Sequence, residues 1–170
     1  MKRSFTALLL FALGTVLVGC EGSYRARLTI SSLELPSGAS GIVQIRVLNP
    51  PDLKTLQIGP VGMFLFDPTV IQITAIDGIN GFTILGSTIN NGLGTAQFSA
   101  SFIGGSIRPI LTTPWSMIEI PIVELTVQAV GPVNSQTDLT ITQIDLCLDR
   151  IGQPITLGPS TLGKVVIVPP

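Results

Sequence analysis

The stretch VGMFLFDPTVIQI, residues 61–73, holds a run of apolar residues that an Asp-Pro pair interrupts. A strand with one wet face alternates apolar and polar side chains, whereas the four residues before Asp67 are all apolar. A membrane-spanning helix needs about 20 apolar residues, so this run is too short to cross a bilayer. We interpret it as a strand whose two aromatic residues, Phe64 and Phe66, lie in the core. The outward residues of that strand are then Val61, Met63 and Leu65.

The composition of the 170-residue chain predicts a β protein. Hydrophobic residues make up 45% of the chain and charged residues 11%, while 18 Gly and 13 Pro provide turns. The aromatic share is only 5%, so the apolar content is mostly Ile, Leu and Val, which favour strands. The net charge is −1 and basic residues form no cluster, so we expect no nucleic-acid partner.

Turn signals divide the chain after its first 26 residues into about eight or nine strands. The first predicted strand is RLTISSLEL, residues 27–35, and it ends at a Pro-Ser-Gly turn. In TAQFSASF, residues 95–102, Ala and Phe share one face while Thr, Gln and Ser share the other. The preceding Asn90-Asn91-Gly92 predicts a hairpin. We therefore predict an all-β fold, an antiparallel β-sandwich over residues 27–170.

One long apolar segment, MIEIPIVELTVQAVG at residues 117–131, changes its alternation halfway. Its apolar residues hold even positions up to Ile122 and odd positions from Val123. Such a change of parity indicates a β-bulge, and Pro121 beside it suggests a sheet edge.

The first 20 residues, MKRSFTALLLFALGTVLVGC, have the layout of an export signal. Two basic residues precede an apolar stretch, which ends in Leu-Val-Gly-Cys and looks like a bacterial lipobox. We predict a lipoprotein signal peptide at residues 1–19, lipid attachment at Cys20, a tether at residues 20–26 and a place in the cell envelope outside the cytoplasm. The alternatives are a plain secretory signal with a chance Cys, or an uncleaved anchor.

The residues offer little catalytic chemistry. The chain has no His, which excludes Ser-His-Asp and Cys-His pairs and His metal sites. Its carboxylates are scattered, with Asp145 and Asp149 as the closest pair on one strand, and no calcium-binding or phosphate-binding loop is present. We predict no catalytic residue, no metal and no cofactor. With Cys20 acylated, Cys147 is the one remaining thiol, and its alternating neighbours predict a small buried or interface residue.

Sugar binding by aromatic stacking would depend on Trp115, in the loop TTPWS. This residue is the candidate contact for a glycan. The alternative is that Trp115 covers one end of the sandwich.

Several segments, taken in order, resemble the cohesin family. They are GIVQIRVLN, VGMFLFDPTVIQITAIDG, a hairpin, IEIPIVELTVQAVG, DLTITQIDLCLDRIGQPI and LGKVVIV. In that family a strand ends in an aromatic residue, followed by Asp-Pro, a small turn and a hydrophobic pair, which residues 66–71 match. The resemblance covers about residues 28–168.

The resemblance implies a jelly-roll sandwich of nine strands, related to carbohydrate-binding modules, with a non-catalytic binding role. Cohesins bind dockerin modules, which carry paired calcium loops, through a sheet that includes the Asp-Pro strand. By position, Val61, Met63 and Leu65 would lie on that face. Cohesins often place polar residues there, so these apolar residues indicate a more hydrophobic partner or a surface covered by the chain itself.

Three hypotheses follow for function. The first is a lipid-anchored binding module that captures a protein partner, dockerin-like or other, through one sheet face. The second is a carbohydrate-binding lipoprotein that uses Trp115 on a polysaccharide. The third is a structural envelope lipoprotein in which Met63 and Leu65 are covered by the protein's own chain.

Overall fold

The computed structural model describes residues 26–49, 52–104 and 119–170. These residues form thirteen β-strands, and none of them belongs to a helix of the length and apolarity that crossing a bilayer requires. The strands are β1 (Arg27–Ile30), β2 (Leu33–Pro36), β3 (Ser40–Leu48), β4 (Leu53–Ile58), β5 (Phe64–Leu65), β6 (Ile71–Gly78), β7 (Phe82–Asn90), β8 (Thr95–Phe102), β9 (Glu119–Ala129), β10 (Gln136–Ile141), β11 (Leu146–Asp149), β12 (Gly158–Thr161) and β13 (Gly163–Val168).

The strands form two sheets that enclose one core. The smaller sheet has the order β12-β1-β3-β9-β6. In the larger sheet, β7 pairs with one side of β8, and both β4 and β5 pair with its other side. Strands β11 and β10 pair with β4 and β5, and β13 and β2 follow. The all-β jelly-roll sandwich is confirmed, and its pairs are antiparallel except for β1 with β12 and β2 with β13.

The core lies between the sheets and consists of the inward residues of both. Phe64 and Phe66 are buried, as predicted, and so are Ala96, Phe98 and Ala100 on β8. Burying a side chain the size of Phe stabilises a fold by about 1.5–3 kcal/mol, so the alternation in β8 carries much of the local stability.

The predicted first strand is in fact two strands that lie in different sheets. The chain crosses between the sheets at Ser31 and Ser32. Ser31 exchanges two hydrogen bonds with Gln44 of β3, in the smaller sheet. The Ser32 hydroxyl accepts a bond from the backbone N–H of Lys164 in β13, in the larger sheet. Each serine is therefore held by a different sheet, which explains the break.

The bulge predicted in β9 is confirmed. Ile45 lies opposite Val123 and Arg46 lies opposite Pro121, so Ile122 is the extra residue, and its side chain is buried. The expectation that Pro121 marks an edge strand is wrong, because β9 lies between β3 and β6. Pro121 is tolerated there because the pairing with β6 ends at Val123, before the proline is reached.

Candidate functional site

Around β8, the outer face of the larger sheet is built mainly from hydroxyl and amide side chains. On β8 the outward residues are Thr95, Gln97, Ser99 and Ser101, because their neighbours Ala96, Phe98 and Ala100 point into the core. This division is the one that the alternation in residues 95–102 predicts. Facing them across the register, β4 and β7 contribute Thr55, Gln57, Thr83, Thr88 and Asn90. These outward positions carry no charged side chain.

An apolar strip borders this polar region. Val61 is 66% exposed and Met63 is 37% exposed, while Leu65 is partly exposed. Leu146 of β11, 37% exposed, joins the strip from opposite Gln57. Leu148, which is partly exposed, lies two residues further along the same strand. We refer to Val61, Met63, Leu65, Leu146 and Leu148 as the apolar strip.

The position of Met63 is set by its backbone. Its N–H donates to the Thr142 hydroxyl at 3.0 Å, and its carbonyl accepts the N–H of Thr142 at 2.9 Å. These bonds continue the β5–β10 ladder beyond its last pair, Phe64 with Ile141. Since Phe64 points inward, the Met63 side chain points outward. The exposure that a partner surface requires is therefore present at Met63, although its contact with a partner stays a prediction.

Asp145 fixes the loop between β4 and β5, which carries Val61. Its Oδ2 atom accepts the backbone N–H of Gly59 at 2.6 Å and that of Gly62 at 2.8 Å. A Cβ atom at Gly62 would overlap the carbonyl oxygen of Gln143, so only glycine fits beneath this carboxylate. Asp145 is thus a positioning residue for the apolar strip, which sequence reasoning had considered only as a possible catalytic acid.

A shallow concavity of about 380 Å³ lies in the polar region, between β7 and the start of the β4–β5 loop. Gln57 donates to the Gly59 carbonyl at 2.6 Å, and Gln97 donates to the Pro60 carbonyl at 3.1 Å. A bulge between Ile84 and Gly86 opens the other wall, where a Cβ atom on Gly86 would meet nothing within 4 Å. The face therefore has room for a side chain of a partner at Gly86.

The Asp67-Pro68 turn has a structural role beside this face. The Asp67 carboxylate accepts the backbone N–H of Thr69 at 2.8 Å and its hydroxyl at 2.7 Å. These bonds lower the pKa of Asp67 below its ordinary value, and the bond from the Thr69 hydroxyl has the larger effect. The Asp67 N–H donates to the buried Thr137 hydroxyl at 2.7 Å. The turn thereby connects the end of β5 to the start of β6.

The remaining candidate groups for chemistry are used by the fold. Cys147 is buried between the outward Leu146 and Leu148, as predicted, and its burial raises the pKa of the thiol to about 12. The Asp149 carboxylate accepts the N–H groups of Ile151 and Gln153 and so closes its own turn. Within residues 26–49, 52–104 and 119–170, no three acidic or thiol side chains come close enough to hold a metal ion.

Two predicted site residues, Cys20 and Trp115, lie outside the described residues. The signal peptide and the tether before Ala26 do so as well. Lipid attachment and glycan contact therefore stay predictions.

The apolar residues of the candidate partner face, Val61, Met63 and Leu65, do not stand alone, contrary to what their own strand indicates. Polar chemistry of the kind expected on such a face is supplied by the neighbouring β8 through Thr95, Gln97 and Ser99. Fold and face together define a jelly-roll sandwich whose larger sheet has an open, uncharged patch on β5, β7 and β8, while Glu34, Asp138 and Lys164 are exposed on its other strands.

Comparison with known proteins specifies which sandwich this is. No family model matches the chain, and no curated protein matches it. A cohesin module of a family 33 glycoside hydrolase from Clostridium perfringens has a TM-score of 0.66 at 13% identity, covering 86% of this chain and 99% of that one. A type I cohesin–dockerin complex from Clostridium thermocellum gives 0.62 at 10% identity, with 85% and 99% covered. A non-cellulosomal cohesin from the archaeon Archaeoglobus fulgidus gives 0.59 at 13% identity, with 85% and 91% covered. The chain therefore has the fold of cohesin modules.

Proposed function

We propose that this chain is a non-catalytic binding module, lipid-anchored at Cys20 outside the cytoplasm, that captures a protein partner through the outer face of its larger sheet. The observation that carries the proposal is the absence of charge from the outward positions of β5, β7 and β8 and from Thr55 and Gln57 of β4, bordered by the apolar strip. Protein interfaces are depleted of charge at their centres, and exposed apolar area is a usual mark of them.

A dockerin-like protein is the first candidate partner. The solved structures of this fold include type I cohesin–dockerin complexes, and dockerin modules carry calcium loops. A partner of this class would bind in the presence of calcium and be released when calcium is removed. A calcium-independent partner would occupy the same face but belong to another class.

The test uses the chain from residue 21 immobilised as bait for the secreted proteins of the parent organism, with and without calcium. Met63→Asp places a charge in the apolar strip, and Ile42→Asp places the same charge on the outer face of the other sheet, where Ile42 is 50% exposed. An interface hot spot is worth at least about 2 kcal/mol, so we expect Met63→Asp to weaken binding about 30-fold. Ile42→Asp should bind like the unchanged chain.

Failure to retain any protein in either condition would contradict partner binding. Equal loss in the two variants would place the contact elsewhere. The anchor is tested separately by feeding cells a labelled fatty acid, which should enter the unchanged protein and be absent from Cys20→Ser.

A further inference from the structure

The tip of the β7–β8 hairpin is joined to the other sheet by the side chain of Asn91. This residue lies between two strands of the larger sheet, and its amide reaches β6 of the smaller sheet. Its Oδ1 atom accepts the backbone N–H of Ile73 at 2.9 Å, and its Nδ2 atom donates to the carbonyl of the same residue at 3.0 Å. We refer to these two bonds as the amide clasp. A side-chain amide offers a donor beside an acceptor, so Asn91 pairs with Ile73 as a neighbouring strand would.

The amide clasp covers the free edge of a strand. Within the described residues, β6 pairs with one strand, β9, and so forms an edge of the smaller sheet. The register of that pairing shifts between Ile73 and Ala75, next to the clasp. The backbone groups at a sheet edge are open to pairing with another chain unless something covers them. Asn91 therefore both attaches the hairpin tip and covers the edge of β6 at Ile73.

The residue after Asn91 is Gly92, and an asparagine followed by glycine is prone to deamidation. The absence of a side chain on the glycine lets its backbone nitrogen approach closely. In this reaction the Gly92 nitrogen loses its proton and attacks the Cγ atom of Asn91. The new C–N bond closes a succinimide ring, the Cγ–Nδ2 bond breaks, and Nδ2 leaves as ammonia with that proton. Water then opens the ring to aspartate or isoaspartate.

The fold restrains both reacting groups. The clasp holds the Asn91 amide against β6, and the N–H of Gly92 donates to Oδ1 of Asn90 at 3.1 Å. The reaction therefore requires the hairpin tip to open from β6. One hydrogen bond between neutral groups is worth about fivefold in an equilibrium constant, so the two bonds of the clasp should slow the reaction about 30-fold.

The product cannot form the clasp again. An ionised carboxylate accepts hydrogen bonds and donates none, so the oxygen that replaces Nδ2 would face the carbonyl oxygen of Ile73 without a proton between them. In isoaspartate the main chain also runs through the former side chain, which displaces the remaining oxygen atoms. Once Asn91 has reacted, the hairpin tip stays detached from β6.

We propose that Asn91 is a deamidation site, and that its modification irreversibly releases the tip of the β7–β8 hairpin from the edge of the smaller sheet. The inference goes beyond the proposed function, since it needs neither a partner nor the lipid anchor.

Two variants of the full chain separate the loss of the donor from the gain of charge. Asn91→Asp reproduces one product of the reaction. Asn90→Asp adds the same charge one residue away but keeps the oxygen that accepts the N–H groups of Gly92 and Leu93. Hydrogen exchange at the N–H of Ile73 should become at least about fivefold faster in Asn91→Asp, because a bond of the clasp is lost. It should be unchanged in Asn90→Asp. Protein deamidated in place allows the same measurement without a substitution.

Deamidation itself is followed by site-resolved mass spectrometry of the full chain at mildly alkaline pH. Conversion at Asn91 should be about 30-fold slower in the folded protein than in urea, where the clasp is absent. Gly92→Ala should suppress the conversion in both states, because the added methyl group hinders the attack. The fold accommodates that methyl group, since the nearest atom to a Cβ at Gly92 is Oδ1 of Asn90 at 3.4 Å.

The chain's second Asn-Gly pair, Asn80-Gly81, provides an internal comparison. Asn80 is exposed, and its amide forms one hydrogen bond within the described residues, from Nδ2 to the Pro121 carbonyl at 2.8 Å. One bond should slow its reaction only about fivefold, so folded protein should convert Asn80 faster than Asn91. In urea the two sites should react at similar rates.

Three results would overturn the inference. Equal conversion of Asn91 in folded and unfolded protein would mean that the clasp does not restrain its amide. No conversion in urea would mean that Asn91 is not a deamidation site. Unchanged exchange at Ile73 after Asn91→Asp, or an equal increase after Asn90→Asp, would mean that the modification does not release the hairpin.

Discussion

Replacing Asp145 with Ala should destabilise the domain and release the loop that carries Val61. The change removes the acceptor of two backbone N–H groups, those of Gly59 at 2.6 Å and Gly62 at 2.8 Å. A hydrogen bond to a charged group contributes about 1.5–3 kcal/mol when buried. Asp145 is only partly buried, so water can replace part of each bond. We therefore expect a loss of about 1 kcal/mol for each bond, or about 2 kcal/mol in total.

The assay is thermal unfolding followed by circular dichroism. For a domain of this size, 1 kcal/mol corresponds to about 2–4 °C, so Asp145→Ala should lower Tm by about 4–8 °C. The matched control is Asp145→Asn, which keeps an acceptor oxygen but loses the charge and should lose about half as much. If the Tm of Asp145→Ala lies within about 1 °C of that of the unchanged protein, these two hydrogen bonds do not hold the loop and the reasoning is refuted.

Three further predictions concern other parts of the domain. Thr69→Ala removes the main hydrogen bond that lowers the pKa of Asp67. The ionised Asp67 stabilises the fold above its ordinary pKa, and this stabilisation is lost as pH falls through the folded pKa, so acid unfolding should begin at higher pH in the variant. An NMR titration in which the pKa of Asp67 is unchanged by the substitution would contradict this. Burial raises the pKa of the Cys147 thiol from 9.0 to about 12, so between these values only the folded state keeps the proton, and the free energy of unfolding falls as pH rises. Cys147→Ala should abolish that fall, which urea unfolding on either side of pH 9 measures. An equal fall in both proteins would count against the prediction. Gly81 has φ +88° and lies against an aromatic ring of β8, so Gly81→Ala should lower the free energy of unfolding by about 2–3 kcal/mol. Gly86→Ala, at an open position, should change it by less than about 0.5 kcal/mol. Similar values for the two variants would show that the crowding at Gly81 is unimportant.

The sequence predicts those parts of the fold that depend on local alternation. Residues 95–102 divide correctly into an inner and an outer face because a strand has a period of two, and Phe64 and Phe66 are placed in the core for the same reason. The bulge at Ile122 is predictable because it changes the parity within one segment.

Other features depend on partners that are distant in the chain. The break after Ile30 depends on the two hydrogen bonds that Ser31 and Gln44 exchange and on the bond from the N–H of Lys164 to the hydroxyl of Ser32, 132 residues away. Strand β4 went unpredicted because its buried residues, Leu53, Leu56 and Ile58, do not alternate regularly. No local signal in these segments specifies such arrangements.

The candidate site divides in the same way. Val61 and Met63 could be placed on the outer face by parity, and both are exposed. Leu146 was missed because it joins the strip only through its pairing with Gln57. The concavity beside Gly86 results from a bulge on an edge strand, and the sequence GSTIN around it looks like any polar strand.

The crossing of the first strand between the sheets also affects how quickly the domain can fold. Both halves of that strand pair in parallel with strands near the C-terminus: Arg27 with Gly158, and Leu33 with Val165. Each of these contacts closes a loop of more than 130 residues, and contacts of such high sequence separation slow the search for the native state. During synthesis β1 can pair with β3 early, but it meets its second partner β12, and β2 meets β13, only after residues 158–168 have been made. We expect folding in the slow range typical of β-sandwiches, milliseconds to seconds, with β2 among the last strands to be secured.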